Sequence, residues 1–378
     1  MSLSLTVITI VLFLSPLGQS AINSWLKSKF INDFEVEVSM GTLFVNPVGT
    51  TSFTDLLIRD HRNDTLVFVD YFAFKSYNLG VLISNKLNLG EVAFDSLVLN
   101  VVKYKNEDQS NLDIFIEKIK SDDARINQLS ATTIKLIRSK VQFKDLNKAD
   151  SAKQLFSNIN AKLVDLNSYR NDFSTQVQEM NFFVDNQNIQ VLDLEAFCSF
   201  DSEFAEFQNL KIITPNSQFN TDVSMRYPKG GFHNFYENVS IDAVVRDSFL
   251  GLDEIQFLDP NVSGSGTIFL DQLKFLGKPS EYAIDSIRIN YEKSNFFGSF
   301  TFNTSKDASK LTIQELLINP KDIQTLFPSL KKSSVDVLKR FEKAVISGTL
   351  ASQPAKHKLN LSFDSPLGPL LINFDFFR

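Results

Sequence analysis

From Phe34 onward the chain alternates apolar and polar residues with a period of two. That period constrains the fold more than any other feature. Successive side chains of a strand point to opposite faces, whereas a helix repeats every 3.6 residues. Glu35-Val36-Glu37-Val38 is the shortest case. Leu66, Phe68, Phe72 and Phe74 are expected on one face of a longer strand. Ile159, Ala161 and Leu163 form a second row, and Val239, Ile241, Ala243 and Val245 a third. Phe296, Phe300 and Phe302 share a face with Gly298, while Leu359, Leu361 and Phe363 alternate with Lys358, Asn360 and Ser362. Roughly fifteen or more such runs are separated by polar punctuation at residues 59–64, 105–110, 144–153 and 227–231. The 36 phenylalanines suit this pattern, because aromatic and β-branched side chains fit a half-buried pleated surface.

Helical spacing is rare. Leu112, Phe115, Ile116 and Ile119 fall at i, i+3, i+4 and i+7, which predicts a helix over 111–119 capped by Ser110 or Asn111. Ser248 to Leu258 reads similarly, capped by Asp247 or Ser248, and Pro320 to Phe327 and Val335 to Ala344 read as two more. Gly-punctuated strands follow two of these helices, at residues 262–268 and 345–350. The expected class is mainly β, with a few short helices as covers.

The first residues differ in kind. Leu3 to Leu17 are mostly apolar, and no charge precedes Lys27. A spanning helix needs about 20 apolar residues, so this run is marginal unless residues 19–25 extend it. Trp25, Lys27 and Lys29 would suit the headgroup level. A cleaved signal peptide would need a basic flank, which is missing. Residues 1–26 are therefore read as a signal anchor or transmembrane helix. Residues 27–235 and 236–378 are read as two successive β-rich regions. The last apolar run, 367–378, has no closing signal, which predicts a sheet that continues past this chain.

Net charge is −6, which argues against nucleic acid as a partner. The single cysteine, Cys198, forbids an intrachain disulfide, and its strand-like surroundings read as a small core residue. His61, His233 and His357 are far apart and lack metal-ligand spacing. His61 beside Asp60 reads as a solvated turn before it reads as a catalytic acid or base. No nucleophile elbow, phosphate-cradling loop or HExxH motif occurs, so no catalytic residue, cofactor or metal is expected.

Three stretches carry a family resemblance: Gly41-Thr42-Leu43-Phe44-Val45, Thr51 through His61, and Asn63 through Val69. With Gly90-Glu91-Val92-Ala93-Phe94 and Tyr104-Lys105 through Ile116, they resemble the N-terminal region of TamB-type (translocation and assembly module) envelope proteins of the AsmA-like superfamily. The Bacteroidetes versions are the most similar, and Leu17-Gly18-Gln19 continues the likeness. The resemblance covers about a quarter of the chain; the rest is similar only in texture. It implies an elongated, curled antiparallel β-groove, anchored in the inner membrane by one helix, with its bulk in the periplasm. It implies a role in outer-membrane biogenesis, conducting phospholipid between membranes or assisting translocation and assembly of outer-membrane proteins. The implied partner is an outer-membrane TamA-type barrel. The basic flank before the anchor and the long C-terminal portion that engages the barrel are missing from this sequence.

The apolar rows allow two readings. They are either the filled inner face of a sandwich or a groove for apolar ligands, and a one-sided sheet with few helices has little chain to cover it. Groove candidates are Leu66, Phe68, Phe72 and Phe74; Ile159, Ala161 and Leu163; Phe296, Phe300 and Phe302; and Leu359, Leu361 and Phe363. A scaffold that templates client strands at a sheet edge, carrying no lipid, is the alternative function.

Overall fold

The protein is described by a computed structural model. It describes residues 20, 24, 37–45, 49–75, 86–119, 128–148, 153–169, 172–229, 235–258, 266–326, 339, 344–354, 356–365 and 368–377. The anchor expected at 1–26 and the helix expected at 335–344 lie almost wholly outside these residues, as does His233. Among the described residues no helix is long and apolar enough to cross a membrane. Strand dominates, and the chain divides into two compact units, residues 1–194 and 195–378.

In the first unit, β1 (Val38–Ser39) and β2 (Leu43–Val45) both pair antiparallel with β3 (Thr50–Arg59). β3 forms a hairpin with β4 (Thr65–Lys75). β4 pairs with β5 (Lys86–Asp95) and β6 (Val98–Lys103), two stretches parted by Ser96 and Leu97. Both run parallel to β7 (Gln128–Asp145). A parallel pair needs a long crossover, usually helical. Residues 104–127 supply it, and α1 (Asn111–Ile119) lies within them. The all-antiparallel expectation is therefore corrected for this unit: its sheet is mixed. β8 (Lys153–Tyr169), β9 (Asp172–Val184) and β10 (Ile189–Val191) then follow in antiparallel order. The core gathers Val38, Met40, Leu43, Phe53, Phe74, Val92, Ala131 and Leu166, with Phe115 of α1 packed against it.

After β11 (Asp193–Phe200), the second unit is a continuous antiparallel meander. It runs through β12 (Phe204–Ile213), β13 (Gln218–Arg226), β14 (Ser240–Gly251), β15 (Thr267–Lys278), β16 (Glu281–Tyr291) and β17 (Ser294–Asn303). It continues through β18 (Ala308–Leu317), β19 (Val345–Gln353), β20 (Lys356–Ser365) and β21 (Gly368–Phe377). The short helices α2 (Phe235–Asn238), α3 (Leu252–Leu258) and α4 (Pro320–Leu326) sit in its connections. The helix expected from Ser248 begins only at Leu252. Residues 248–251 instead extend β14, pairing Ser248 with Leu270 and Gly251 with Thr267. Ser248 does not cap a helix; its Oγ accepts the Asn220 N–H at 2.9 Å.

The strands are not regular. Asp55, Arg138, Asn158, Asp165, Asn209, Asp247 and Ser286 all take φ between 44° and 54° inside strands. Register shifts accompany them, as between Leu136 and Ser139, Ser157 and Asn160, and Phe207 and Leu210. All but Asp55, where the register is unbroken, sit at bulges, and most are Asn or Asp, which tolerate the left-handed region best after glycine. Neighbouring side chains fill the gaps in the ladder. Asn160 Oδ1 accepts the Arg138 N–H at 3.0 Å, and Asp222 Oδ1 accepts the Asn209 N–H at 2.8 Å. The ion pairs Arg138–Asp95 (2.7 Å) and Arg246–Asp222 (2.8 Å) flank two of the bulges.

Candidate functional site

Residues directly opposite in an antiparallel ladder share a face. The pairings of the second unit therefore trace rows across the strands. One row runs Ile284, Phe300, Leu311, Leu350, Leu359 and Phe374 from β16 to β21. A second runs Ile289, Phe296, Leu316, Ile346, Phe363 and Leu370. Between them lie Ile287, Gly298, Ile313, Gly348, Leu361 and Ile372. Tyr282 and Phe302 head a fourth row that turns polar at Ser309, Ser352 and His357 before ending on Phe376. The other face is polar: Ser299, Thr312, Thr349, Asn360 and Asn373 form one of its rows. Six strands at about 4.8 Å spacing give an apolar face about 25 Å across.

This face is covered only in part: Ile287, Ile313 and Ile346 are buried, and the apolar side chains around them are not. Phe296, Phe300, Phe302, Leu359, Leu361 and Phe363 are all half-buried. Leu350 is 37% exposed, Leu370 44%, Phe374 53% and Phe376 52%. The sequence-expected candidates of the first unit lie differently. Leu66, Phe74, Ile159 and Ala161 are buried, and Phe68, Phe72 and Leu163 are half-buried. Phe72 and Phe74 stack with Phe53 and Phe94 inside the core at centroid distances of 4.8 to 6.3 Å. Leu66 and Val69 are both buried although three residues apart, so simple alternation does not carry through the middle of β4. The structure thus brings the second-unit candidates together on one partly exposed face and places most first-unit candidates inside a packed one.

The main cluster of ionisable groups lies at the β3–β4 turn of the first unit. Asp60 Oδ1 accepts the N–H groups of Arg62 and Asp64, each at 2.9 Å. The Tyr104 hydroxyl lies 2.7 Å from Asp60 Oδ2 and 2.9 Å from Asp64 Oδ2. Asn111 is 1% exposed. Its amide donates to Asp60 Oδ2 (2.8 Å) and the Asn100 carbonyl (3.1 Å), and its oxygen accepts the Val102 N–H (2.8 Å). Ser110, not Asn111, caps α1, accepting the Asp113 N–H at 3.2 Å. Glu107 binds Arg62 Nε at 2.9 Å and His61 Nε2 at 3.0 Å. Burial and the two facing carboxylates push the Tyr104 phenol well above its usual range. Burial acts to raise the Asp60 carboxyl, but hydrogen bonds from Asn111, Tyr104 and two backbone amides outweigh it and hold it below the ordinary value. Each acid already has its donor, so the arrangement docks α1 onto the turn rather than presenting a reactive group. Its members come from stretches about 40 to 50 residues apart, and only the fold shows that they meet.

Among the described residues no group of three His, Cys, Asp or Glu side chains is placed to hold a metal. Cys198 is buried, which raises its thiol. No family model matches the chain, and no curated protein matches it.

Proposed function

We propose that this chain is a TamB-type, AsmA-like envelope protein whose second unit shields lipid acyl chains from water. The observation that carries the reading is the continuous apolar face from β16 to β21, whose exposed part includes Leu350, Leu370, Phe374 and Phe376. An acyl chain in water costs about 0.8 kcal/mol per CH₂, and an apolar surface without deep pockets offsets that cost for any tail laid along it. The resemblance of residues 41–119 supports an inner-membrane anchor, a periplasmic body and a role in outer-membrane biogenesis, with an outer-membrane TamA-type barrel as partner. The reading assigns the chain no catalytic step.

The test is lipid capture. Phe300→Asp and Leu361→Asp should weaken photo-crosslinking to a diacyl phospholipid while the far-UV circular dichroism stays that of the parent. Undiminished crosslinking in folded variants overturns the reading. A second reading rests on β21, which pairs only with β20 among the described residues and exposes Leu371 at 72%. Such an edge can accept a client strand by backbone hydrogen bonding. Strand capture without lipid crosslinking favours that alternative.

A further inference from the structure

The apolar face of the second unit has two unlike ends. At one end α4 docks on the β16–β17 turn, where Asp322 Oδ2 accepts the Lys293 N–H at 2.9 Å and the Ser294 hydroxyl at 2.8 Å. Tyr291 and Ala344 are buried at that end, with 4% and 0% exposure. The opposite end carries the row headed by Tyr282 and Phe302, whose middle is Ser309 on β18, Ser352 on β19 and His357 on β20. The apolar row through Phe300, Leu311, Leu350 and Leu359 lies two positions along the same strands with no register shift between, so both rows share one face. Ser352 Oγ lies 2.9 Å from His357 Nδ1. His357 Nε2 and Ser309 Oγ then remain without a hydrogen-bond partner among the described residues, on half-buried side chains.

We propose that Ser309, Ser352 and His357 form the headgroup subsite of a glycerophospholipid whose acyl chains lie along the strands. The inference rests on the lipid reading above and adds which end of the face holds the phosphate. When Ser352 donates to Nδ1, the ring proton of His357 sits on Nε2, which then donates to a phosphate oxygen. Three adjacent strands at about 4.8 Å spacing spread the donors over about 10 Å. A glycerophospholipid head spreads phosphate and ester oxygens over several such donors, whereas a free fatty acid offers two oxygens on one carbon. The length of the face agrees. From His357 to Phe363, β20 advances about 20 Å at roughly 3.3 Å per residue, and one bilayer leaflet holds about 15 Å of hydrocarbon. A head at the opposite end would lose water against the buried Tyr291 and Ala344, an unfavourable transfer for a polar group. Tyr282, with its ring against Phe275 and Phe302 at 5.0 and 5.5 Å, suits the boundary between chain and head, because one end of it is apolar and the other polar.

The test gives the full chain two forms of one phosphatidylcholine, with a photoreactive diazirine either on the headgroup or at the end of an acyl chain, and maps the labelled peptides by mass spectrometry. The headgroup probe should label residues 302–309 and 352–357, and the chain-end probe residues 294–298 and 361–370. Chain-end labels on the face with headgroup labels elsewhere, or nowhere, overturn the subsite and leave the lipid reading standing. No label on the face from either probe overturns both. In Ser309→Ala/Ser352→Ala/His357→Leu the ratio of phosphatidylcholine to diacylglycerol capture should fall about tenfold or more, as the loss of three polar contacts implies. Ser309→Ala alone breaks no hydrogen bond among the described residues and should lower the ratio about threefold, which keeps the test open should the triple variant not fold. An unchanged ratio in folded variants overturns the subsite.

Discussion

Asn111 illustrates how much one buried polar side chain can hold. Its three hydrogen bonds tie the start of α1 to β6 and to the Asp60 turn. Asn111→Ala would leave the Val102 N–H without this acceptor and take one donor from the Asn100 carbonyl and one from Asp60 Oδ2, which keeps the Tyr104 hydroxyl. The expected loss is about 2–4 kcal/mol of stability, read from urea unfolding. The same turn sets an acid response. Asp60, Glu107, Asp95 and Asp222 all lie below their ordinary values in the folded chain. Arg62 is the main cause for Glu107, Arg138 for Asp95, and the Asn209 N–H for Asp222. A depressed carboxyl contributes stability that is present above its unfolded pKa and lost as pH falls through its folded pKa. Melting temperature should therefore hold near neutral pH and fall below about pH 4. Asp60→Asn should flatten part of that fall, and an unchanged acid limb would remove Asp60 from the explanation.

Strands of this length stay in register here through bulges and glycines rather than through strict alternation. Gly348 takes φ +142°, and a Cβ there would sit 2.0 Å from the Asn360 carbonyl oxygen. Gly298 has no such φ, but a Cβ would meet the Phe296 ring at 2.7 Å. Both occupy the middle apolar row, which keeps that row low between its aromatic neighbours. Gly348→Ala should cost about 1–3 kcal/mol and loosen the β19–β20 ladder, seen as faster amide exchange at residues 345–365. The bulges explain why period two is legible over four to eight residues and then slips. An αL residue at a bulge inserts one position, so the face changes parity without any change in composition. The mixed order of the first unit was illegible for a related reason. A lone helix among strands does not say whether it covers a sheet or makes a parallel crossover.

At the scale of the molecule, the two units use the same alphabet to different ends. The first closes its apolar face around Phe53, Phe74, Val92 and Leu166. The second leaves Phe300, Leu350, Leu359 and Phe374 half-buried or exposed along one row. Parallel substitutions should separate them. Phe74→Asp places an unpaired carboxylate at a 2% exposed position and should cost about 3–5 kcal/mol. Phe300→Asp reaches water and should cost about 1–2 kcal/mol. Equal losses in thermal unfolding would mark the second-unit face as ordinary core.

The sequence by itself determined that the chain is strand-rich, the helix at 111–119, a helix starting at Pro320, and which side chains of the runs it marked share a local face. These depend on neighbours a few residues apart, and spacing records them directly. Only the tertiary structure decided that β5 and β6 run parallel to β7 and that Tyr104 and Asn111 close on Asp60. It also decided which apolar rows are covered. Alternation says that a face is apolar; whether other residues lie over it depends on contacts between residues far apart in the chain, which local pattern does not encode.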